Sequence, residues 1–345
     1  MKYCSYTFGP QSYRVMRLLQ LIFLGLLSLS CEQQTCRETP AEPQEKVNLT
    51  ILRTEDALFN CKSAGEVAVF LEDHEDVALK FLHSDQYPST EILAGRMFQL
   101  VDDPSLDTLY KEALTAFEDH YDDFEKDLQT LYTWLNHYYP QDKIPEVKTM
   151  VTGLYNDMYV SDESIIIGLD FFVGPEATFK PLQLPAYIQK RYTQKHVVPG
   201  IAKYIASSYS ESGKENTLLS EMIDFGKVMY FTGQLLPCTP DSLIMGYSPT
   251  DIKNVAENRE IIWANLIEND LLYNTEEMMK QKFLGERPNI HEISKNCPGR
   301  VGAYVGWEIV KAYMEQNENV TLQDLLTETD HNKIFMRSKY KPKNG

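Results

Sequence analysis

The chain lacks the short sequence motifs of most common catalytic sites. It contains no His-Glu-x-x-His pair, Gly-x-Ser-x-Gly elbow, P-loop, Gly-x-Gly-x-x-Gly turn or Cys-x-x-Cys pair. The His-Glu pairs that begin at His74 and His291 have Ala78 and Lys295 where the second His of a zinc site would stand, and we interpret both pairs as surface residues. The sequence therefore predicts no catalytic residue, no metal site and no cofactor, although the many carboxylates leave a paired-acid site open.

Positive charge is also scarce. The 345 residues include 33 Lys and Arg against 50 Asp and Glu, which gives a formal net charge of -17. This charge repels phosphate backbones, and no cluster of basic and aromatic residues precedes the tail that begins at Arg337. We therefore expect no nucleic-acid partner. The Lys-rich tail is interpreted as a solvated terminus, with contact to an acidic partner or anionic lipid as the alternative.

Long hydrophobic runs are limited to one segment near the N-terminus. Arg14 and Arg17 precede an apolar run that is shorter than the roughly 20 residues of a membrane span. A basic flank, a short apolar run and then small residues are typical of an export signal. We predict a signal peptide over residues 1–30, and Met16 is a second candidate for its first residue.

Cys31 follows this signal directly. It comes after Ser28-Leu-Ser, as in a bacterial lipoprotein cleavage site, although Leu more often stands where Ser28 stands. We predict lipid attachment, such as palmitate, at Cys31, with a lone cysteine after an uncleaved signal as the alternative. Residues 31–46 are polar, contain Pro40 and Pro43, and are typical of a tether between a membrane and a folded domain.

Four further cysteines remain in the exported chain, namely Cys36, Cys61, Cys238 and Cys297. Export beyond the cytoplasm permits disulfides, and a bridge between Cys238 and Cys297 would join two loops. Sequence spacing alone does not fix the connectivity, so unpaired and partly buried thiols stay an equal alternative.

Hydrophobic periodicity predicts a predominantly helical α+β single domain with a small sheet over residues 47–345. A β-branched and aromatic run that ends at Gly174 predicts a buried strand. Asp170 near its end is interpreted as a strand-end carboxylate bonded to a neighbouring amide rather than as a catalytic group. The other predicted elements are a strand at 47–53, helices within 57–103, one long helix or a pair at 106–139, and helices at 187–206, 218–231 and 251–273.

The segment from Cys297 to Met314 predicts a buried helix around which the rest is organised. Gly302 and Gly306 lie one turn apart in it, and each Gly costs a helix interior about 1 kcal/mol relative to Ala. Close approach of another backbone is the main explanation. The alternative is a cleft whose floor is the Gly face and whose border includes Arg300, Trp307 and Glu308.

An ordered set of motifs resembles the gliding-motility lipoprotein GldB family of Bacteroidetes. The set covers residues 218–325: Met222-Ile-Asp-Phe-Gly-Lys-Val-Met-Tyr-Phe, Leu235-Leu-Pro, Ile244-Met-Gly-Tyr-Ser, Asn258-Arg-Glu-Ile-Ile-Trp, Asp270-Leu-Leu-Tyr and Pro298-Gly-Arg-Val-Gly-x-x-Val-Gly-Trp. The resemblance implies a lipid-anchored cell-envelope protein, in the outer membrane, that supports gliding motility. It also implies a degenerate zincin-like scaffold whose His-Glu-x-x-His helix would fall near Gly226 and Lys227, where this chain has no His.

Two interpretations of the helix surface follow. In the first, Lys227, Glu257, Glu260 and Arg300 form buried ion pairs, Trp307 is core, and the protein is non-catalytic and acts through contacts with other envelope or motility proteins. In the second, the same groups line a candidate cleft that binds a carboxylate or sugar, with Arg300 as the fork for an anion. The second interpretation leads to a glycan- or peptide-binding module, or to an envelope hydrolase of peptidase type with an unusual metal or carboxylate site.

Overall fold

Four short strands form one mixed sheet. The computed structural model describes Cys36, Arg37, Thr39 and residues 43–342. Within this part, β1 (Ile51–Arg53), β2 (Glu146–Met150), β3 (Met158–Val160) and β4 (Ser164–Gly168) lie in the order β1-β2-β4-β3. Strands β1, β2 and β4 are parallel, and β3 runs antiparallel to β4 at the edge. Parallel strands need cover on both faces, which explains the continuous aliphatic run Ile165–Ile167 of β4.

Strand β4 connects the two hydrophobic cores. Ile165 and Ile167 pack into the larger core, whereas Ile166 faces a smaller core that contains Leu58 and Phe70. The predicted buried strand is therefore confirmed, but it ends at Gly168 and continues as the 3-10 turn Leu169–Phe172. A side chain at Gly168 would collide with the backbone, because an added Cβ would lie 2.2 Å from the carbonyl oxygen of Asn156.

Helices surround the sheet, and from Arg37 onward the described residues belong to one compact unit. The mostly helical, single-domain α+β prediction is confirmed. In chain order the helices are α1 (Thr54–Asn60), α2 (Ala64–Asp73), α3 (Thr90–Val101), α4 (Pro104–Glu118), α5 (Tyr121–Tyr138), α6 (Ala186–Gln189), α7 (Gln194–Tyr209), α8 (Leu218–Leu235), α9 (Asp241–Met245), α10 (Pro249–Glu257), α11 (Arg259–Glu268), α12 (Glu277–Leu284), α13 (Val301–Gln316), α14 (Leu322–Thr327) and α15 (His331–Ser338).

The sequence predicted one of two helix boundaries correctly. The prediction for residues 106–139 was one long helix or a pair, and the structure has the pair α4 and α5. The single helix predicted over 251–273 is wrong, because the chain breaks at Asn258 into α10 and α11. The Asn258 side chain donates to the carbonyl oxygen of Asn254 at 2.7 Å and so competes with continuation of the helix.

Helices α8 and α13 cross at their glycines. A Cβ added at Gly306 would lie 1.7 Å from the carbonyl oxygen of Met222, and one at Gly226 would lie 2.3 Å from the carbonyl oxygen of Gly306. At Gly302 the nearest contacts include Leu284 and Met222. The prediction of close backbone approach is confirmed. The Gly face of α13 is filled by α8, so it does not form the floor of a cleft.

The structure decides between the two predictions for Cys238 and Cys297. Cys297 is a free, buried thiol, and burial raises its pKa to about 12. Cys238 is disulfide-bonded, as is Cys36, so no bridge joins Cys238 to Cys297.

No helix in the described part of the chain is long and apolar enough to cross a membrane. The predicted signal peptide and Cys31 lie outside the described residues.

Candidate functional site

The five residues of the predicted cleft do not converge on one point. Lys227 on α8 and Trp307 on α13 are buried, and Arg300 precedes α13 with 12% of its side chain exposed. Glu257 and Glu260 lie on the exposed sides of α10 and α11. The Glu257 side chain is 60% exposed and lies 3.8 Å from Lys253, so it takes no part in a buried ion pair. The remaining three residues belong to separate clusters.

Lys227 holds the C-terminal segment against α8. Its buried ammonium donates to the carbonyl oxygens of Glu211 and, at 3.0 Å, of Glu328. It also lies 3.5 Å from Asp224, whose Oδ1 is 2.7 Å from Nε2 of His331. Burial lowers the pKa of Lys227, and the Asp224 charge opposes that shift. These contacts satisfy the ammonium without a ligand, which indicates a structural role.

Trp307 lies beneath a group of charged side chains. The Nζ of Lys311 is 3.8 Å from the centre of the indole ring, and the guanidinium of Arg37 is 5.9 Å from it. Asp241 pairs with both cations, at 3.0 Å from Lys311. Burial alone would raise the pKa of Asp241, but Lys311 and Arg37 hold it below its usual value. The backbone amide of Arg37 donates to the carbonyl oxygen of Pro237 at 2.9 Å, so the N-terminal segment is fastened here.

Arg300 belongs to a cationic cluster that the sequence analysis missed. Its Nη2 donates to the carbonyl oxygen of Met245, and its Nε lies 3.2 Å from Oε1 of Glu286 without hydrogen-bond geometry. Arg191 donates to the same Oε1 at 2.7 Å. Arg191 and Glu286 are separated by 95 positions in the sequence. No local pattern connects residues so far apart, which explains why they were not predicted.

Lys203 on α7 completes this cluster. Burial and then the charges of Arg300 and Arg191 lower its pKa to about 7, and the Glu286 charge partly opposes this shift. Among the described residues, no hydrogen bond or ion pair reaches the Lys203 ammonium. His196 also lies on α7 near this cluster. Burial and the charges of Lys203 and Arg191 lower its pKa to about 4. The cluster therefore holds more positive than negative charge.

Asp170 is a fixed structural carboxylate at the end of β4. Its Oδ2 accepts hydrogen bonds from the backbone amides of Thr152 at 3.1 Å and Leu154 at 2.7 Å. This confirms the interpretation as a strand-end carboxylate bonded to neighbouring amides. Burial raises its pKa to about 6, against the opposing effect of the amide donors.

A cavity of about 540 Å³ lies beside the carboxyl end of β2. Residues of α3 and of the loops before α3 and after β2 line it, including Tyr87, Arg96, Met97, Thr152 and Tyr155. The guanidinium of Arg96 is 5.2 Å from the ring of Tyr87, and the buried hydroxyl of Thr152 has no partner within the described structure. The cavity offers a mostly apolar surface and few groups that would define a ligand. No group of three or more potential metal-binding side chains occurs in the described ranges.

The comparisons with known proteins gave one match. A family model described as gliding motility protein GldB matches residues 35–342. Comparison with curated proteins found no match, and neither did comparison with solved structures. The zincin-like part of the predicted fold thus has no support from a related structure.

Proposed function

Because the chain belongs to the gliding motility protein GldB family, we propose that it is a lipid-anchored envelope protein that supports gliding motility through protein contacts, without catalysis. The observation that carries this proposal is the family match, which extends from residue 35 to residue 342. Cys31 lies immediately before the matched region, after a segment with the composition of an export signal. The family description itself supports a lipoprotein with a role in motility.

The position of Arg37 supports a membrane-proximal placement. Arg37 is bound to Pro237 and Asp241 on the surface beside Trp307, and only six positions separate it from Cys31. Six extended residues span at most about 20 Å. If the lipid is attached at Cys31, the surface between α8 and α9 lies within that distance of the bilayer. The free tether is then much shorter than the 16 residues of 31–46.

Two contacts support a structural rather than a catalytic role for the central helices. The ammonium of Lys227 is occupied by backbone carbonyl oxygens, and Trp307 is packed among charged pairs with 1% of its surface exposed. Neither side chain is free to bind a reacting group. We expect partners in the envelope to contact the outer surfaces of the domain instead.

Gene deletion and complementation test this proposal. We expect deletion to abolish colony spreading, the wild-type gene to restore it, and Cys31→Ala to leave the folded protein in place but restore spreading poorly. Palmitate labelling of the wild type and of C31A measures the anchor directly. Normal spreading after deletion would disprove the motility role, whereas unlabelled wild-type protein would disprove only the anchor.

A ligand-binding function is the second candidate. The cluster of Arg191, Lys203 and Arg300 favours it, because three basic side chains share the single carboxylate of Glu286. In this case Arg300→Ala would remove binding of an acidic ligand while the fold persists.

A further inference from the structure

Arg191 and Arg300 lie side by side against Gly246. A Cβ added at Gly246 would lie 3.1 Å from Cδ of Arg191 and 3.3 Å from Nη2 of Arg300, so both side chains occupy the space that a larger residue would fill. Gly246 has a φ of 65°, which favours glycine. The two guanidinium groups converge on a single oxygen, Oε1 of Glu286. Such convergence places two like charges at close range.

The charge of this cluster is not balanced by the groups around it. Lys203 on α7, Arg191 before α7 and Arg300 before α13 give three positive charges when Lys203 is protonated, and Glu286 after α12 gives one negative charge. His196 and Tyr247 also face the cluster; burial lowers the pKa of His196 to about 4 and raises the pKa of Tyr247, so both are uncharged at neutral pH. Tyr247 donates its hydroxyl to the carbonyl oxygen of Gly299 at 2.7 Å. With Lys203 protonated, three positive charges and one negative charge give the cluster a net charge of +2 inside an acidic protein.

Water and small solutes reach the cluster. The Arg191 side chain is 23% exposed and that of Glu286 is 41% exposed, whereas Arg300 is mostly covered. The Arg300 Nε and the Lys203 ammonium have no hydrogen-bond acceptor in the described structure. A partly desolvated cation that keeps an unsatisfied N–H group is costly unless an anion binds there. Guanidinium groups are well suited to binding an oxyanion, because they donate two parallel N–H groups to it.

We propose that Arg191, Lys203 and Arg300 form a binding site for a dianionic oxyanion of phosphate type, with Glu286 as the internal counter-ion that positions the two arginines. A dianion matches the excess of two positive charges, whereas a single carboxylate would leave one uncompensated. The N-terminus of α13, which follows Arg300, adds a favourable partial charge. This inference is independent of the motility role.

Calorimetric titration of the purified protein at low ionic strength tests the site. We use sulfate as a dianion that does not titrate near pH 7, together with inorganic phosphate. One saturable site per chain is expected. Arg191→Gln and Lys203→Gln should each weaken binding about tenfold or more, since each removes a charged hydrogen-bond donor. Lys195→Gln, an exposed lysine on the same helix, removes the same charge and should leave affinity unchanged.

Proton uptake distinguishes a specific site from general attraction. Because the pKa of Lys203 is lowered to about 7, an anion that raises this pKa should cause proton uptake when sulfate binds at pH 7. This appears as a dependence of the binding enthalpy on the ionisation enthalpy of the buffer, and it should vanish in K203Q. Thermal unfolding of each variant shows whether the fold is intact.

Two further titrations distinguish a lipid phosphate from a soluble phosphate as the source of the anion. Binding to vesicles that contain phosphatidic acid, but not to vesicles with phosphodiester lipids only, assigns the site to a lipid phosphomonoester. Binding to inorganic phosphate alone assigns it to a soluble phosphate. Acetate should bind at least tenfold more weakly than sulfate, and equal affinity would overturn the dianion assignment. Absence of saturable sulfate and phosphate binding, or equal weakening by K195Q and K203Q, would overturn the site itself.

Discussion

Substitution of Gly306 tests how helices α8 and α13 are held together. An added methyl group at Gly306 would lie 1.7 Å from the carbonyl oxygen of Met222 and 2.3 Å from its carbonyl carbon. An ordinary contact needs about 3.5–4.0 Å, so the helices must separate by about 2 Å. The Ala side chain favours the helix by about 1 kcal/mol, but backbone overpacking of this kind costs more. We expect Gly306→Ala to lower the free energy of unfolding by about 2–3 kcal/mol.

Gly95→Ala is the matched control for this substitution. Gly95 lies within α3, and an added Cβ there would have no neighbour within 4 Å. The same chemical change should therefore stabilise the protein by about 0.5–1 kcal/mol through helix propensity alone. Urea unfolding, followed by circular dichroism, measures both variants against the wild type. If G306A is as stable as G95A, the close crossing of α8 and α13 is refuted.

Three further predictions concern buried charge and the tether. Lys227→Met should destabilise the domain by about 2–4 kcal/mol in urea unfolding, since it leaves two buried carbonyl oxygens unpaired, whereas Lys253→Met on the exposed face of α10 should have no effect. Burial raises the pKa of Asp170 to about 6, above the ordinary value of about 4, so the folded state binds the proton more tightly than the unfolded state. The stability that this group contributes is full below about pH 4 and is lost as pH rises through 6, by roughly 3 kcal/mol, so Asp170→Asn should flatten the pH dependence of the free energy of unfolding in that window, measured by urea unfolding. A flexible Gly-Ser spacer of about 12 residues between Cys31 and Cys36 extends the reach by about 40 Å and should reduce colony spreading without loss of lipid, while the same spacer at the C-terminus should not; equal spreading would contradict membrane-proximal placement.

The sequence predicted those features that depend on local pattern. Ile165 to Ile167 gave the buried strand because a strand covered on both faces needs an unbroken aliphatic run. The spacing of Gly302 and Gly306 predicted a helix crossing, because only a close backbone contact offsets two glycines in one helix. The interpretation of Asp170 was also correct. A carboxylate at the end of one strand lies near the backbone amides that follow the neighbouring strand, and here Thr152 and Leu154 follow β2.

The features that depend on distant residues could not be predicted. Arg191 and Glu286 come together because α12 packs on α13 and α7 packs on α8, which crosses α13, and no spacing in the sequence encodes that contact. Glu257 was grouped with Lys227 as a candidate for a buried ion pair, but α10 turns its side chain to solvent. The break at Asn258 was missed because the apolar periodicity continues across it, while a single side-chain hydrogen bond ends α10.

Colony spreading of a deletion strain tests the central claim most directly. The strain is complemented with the wild type, with C31A, or with an empty vector, and protein amounts are matched by immunoblot. The account predicts that the wild type alone restores full spreading. Full spreading with the empty vector would contradict a role in gliding motility, and no feature of the domain would then support the proposed function.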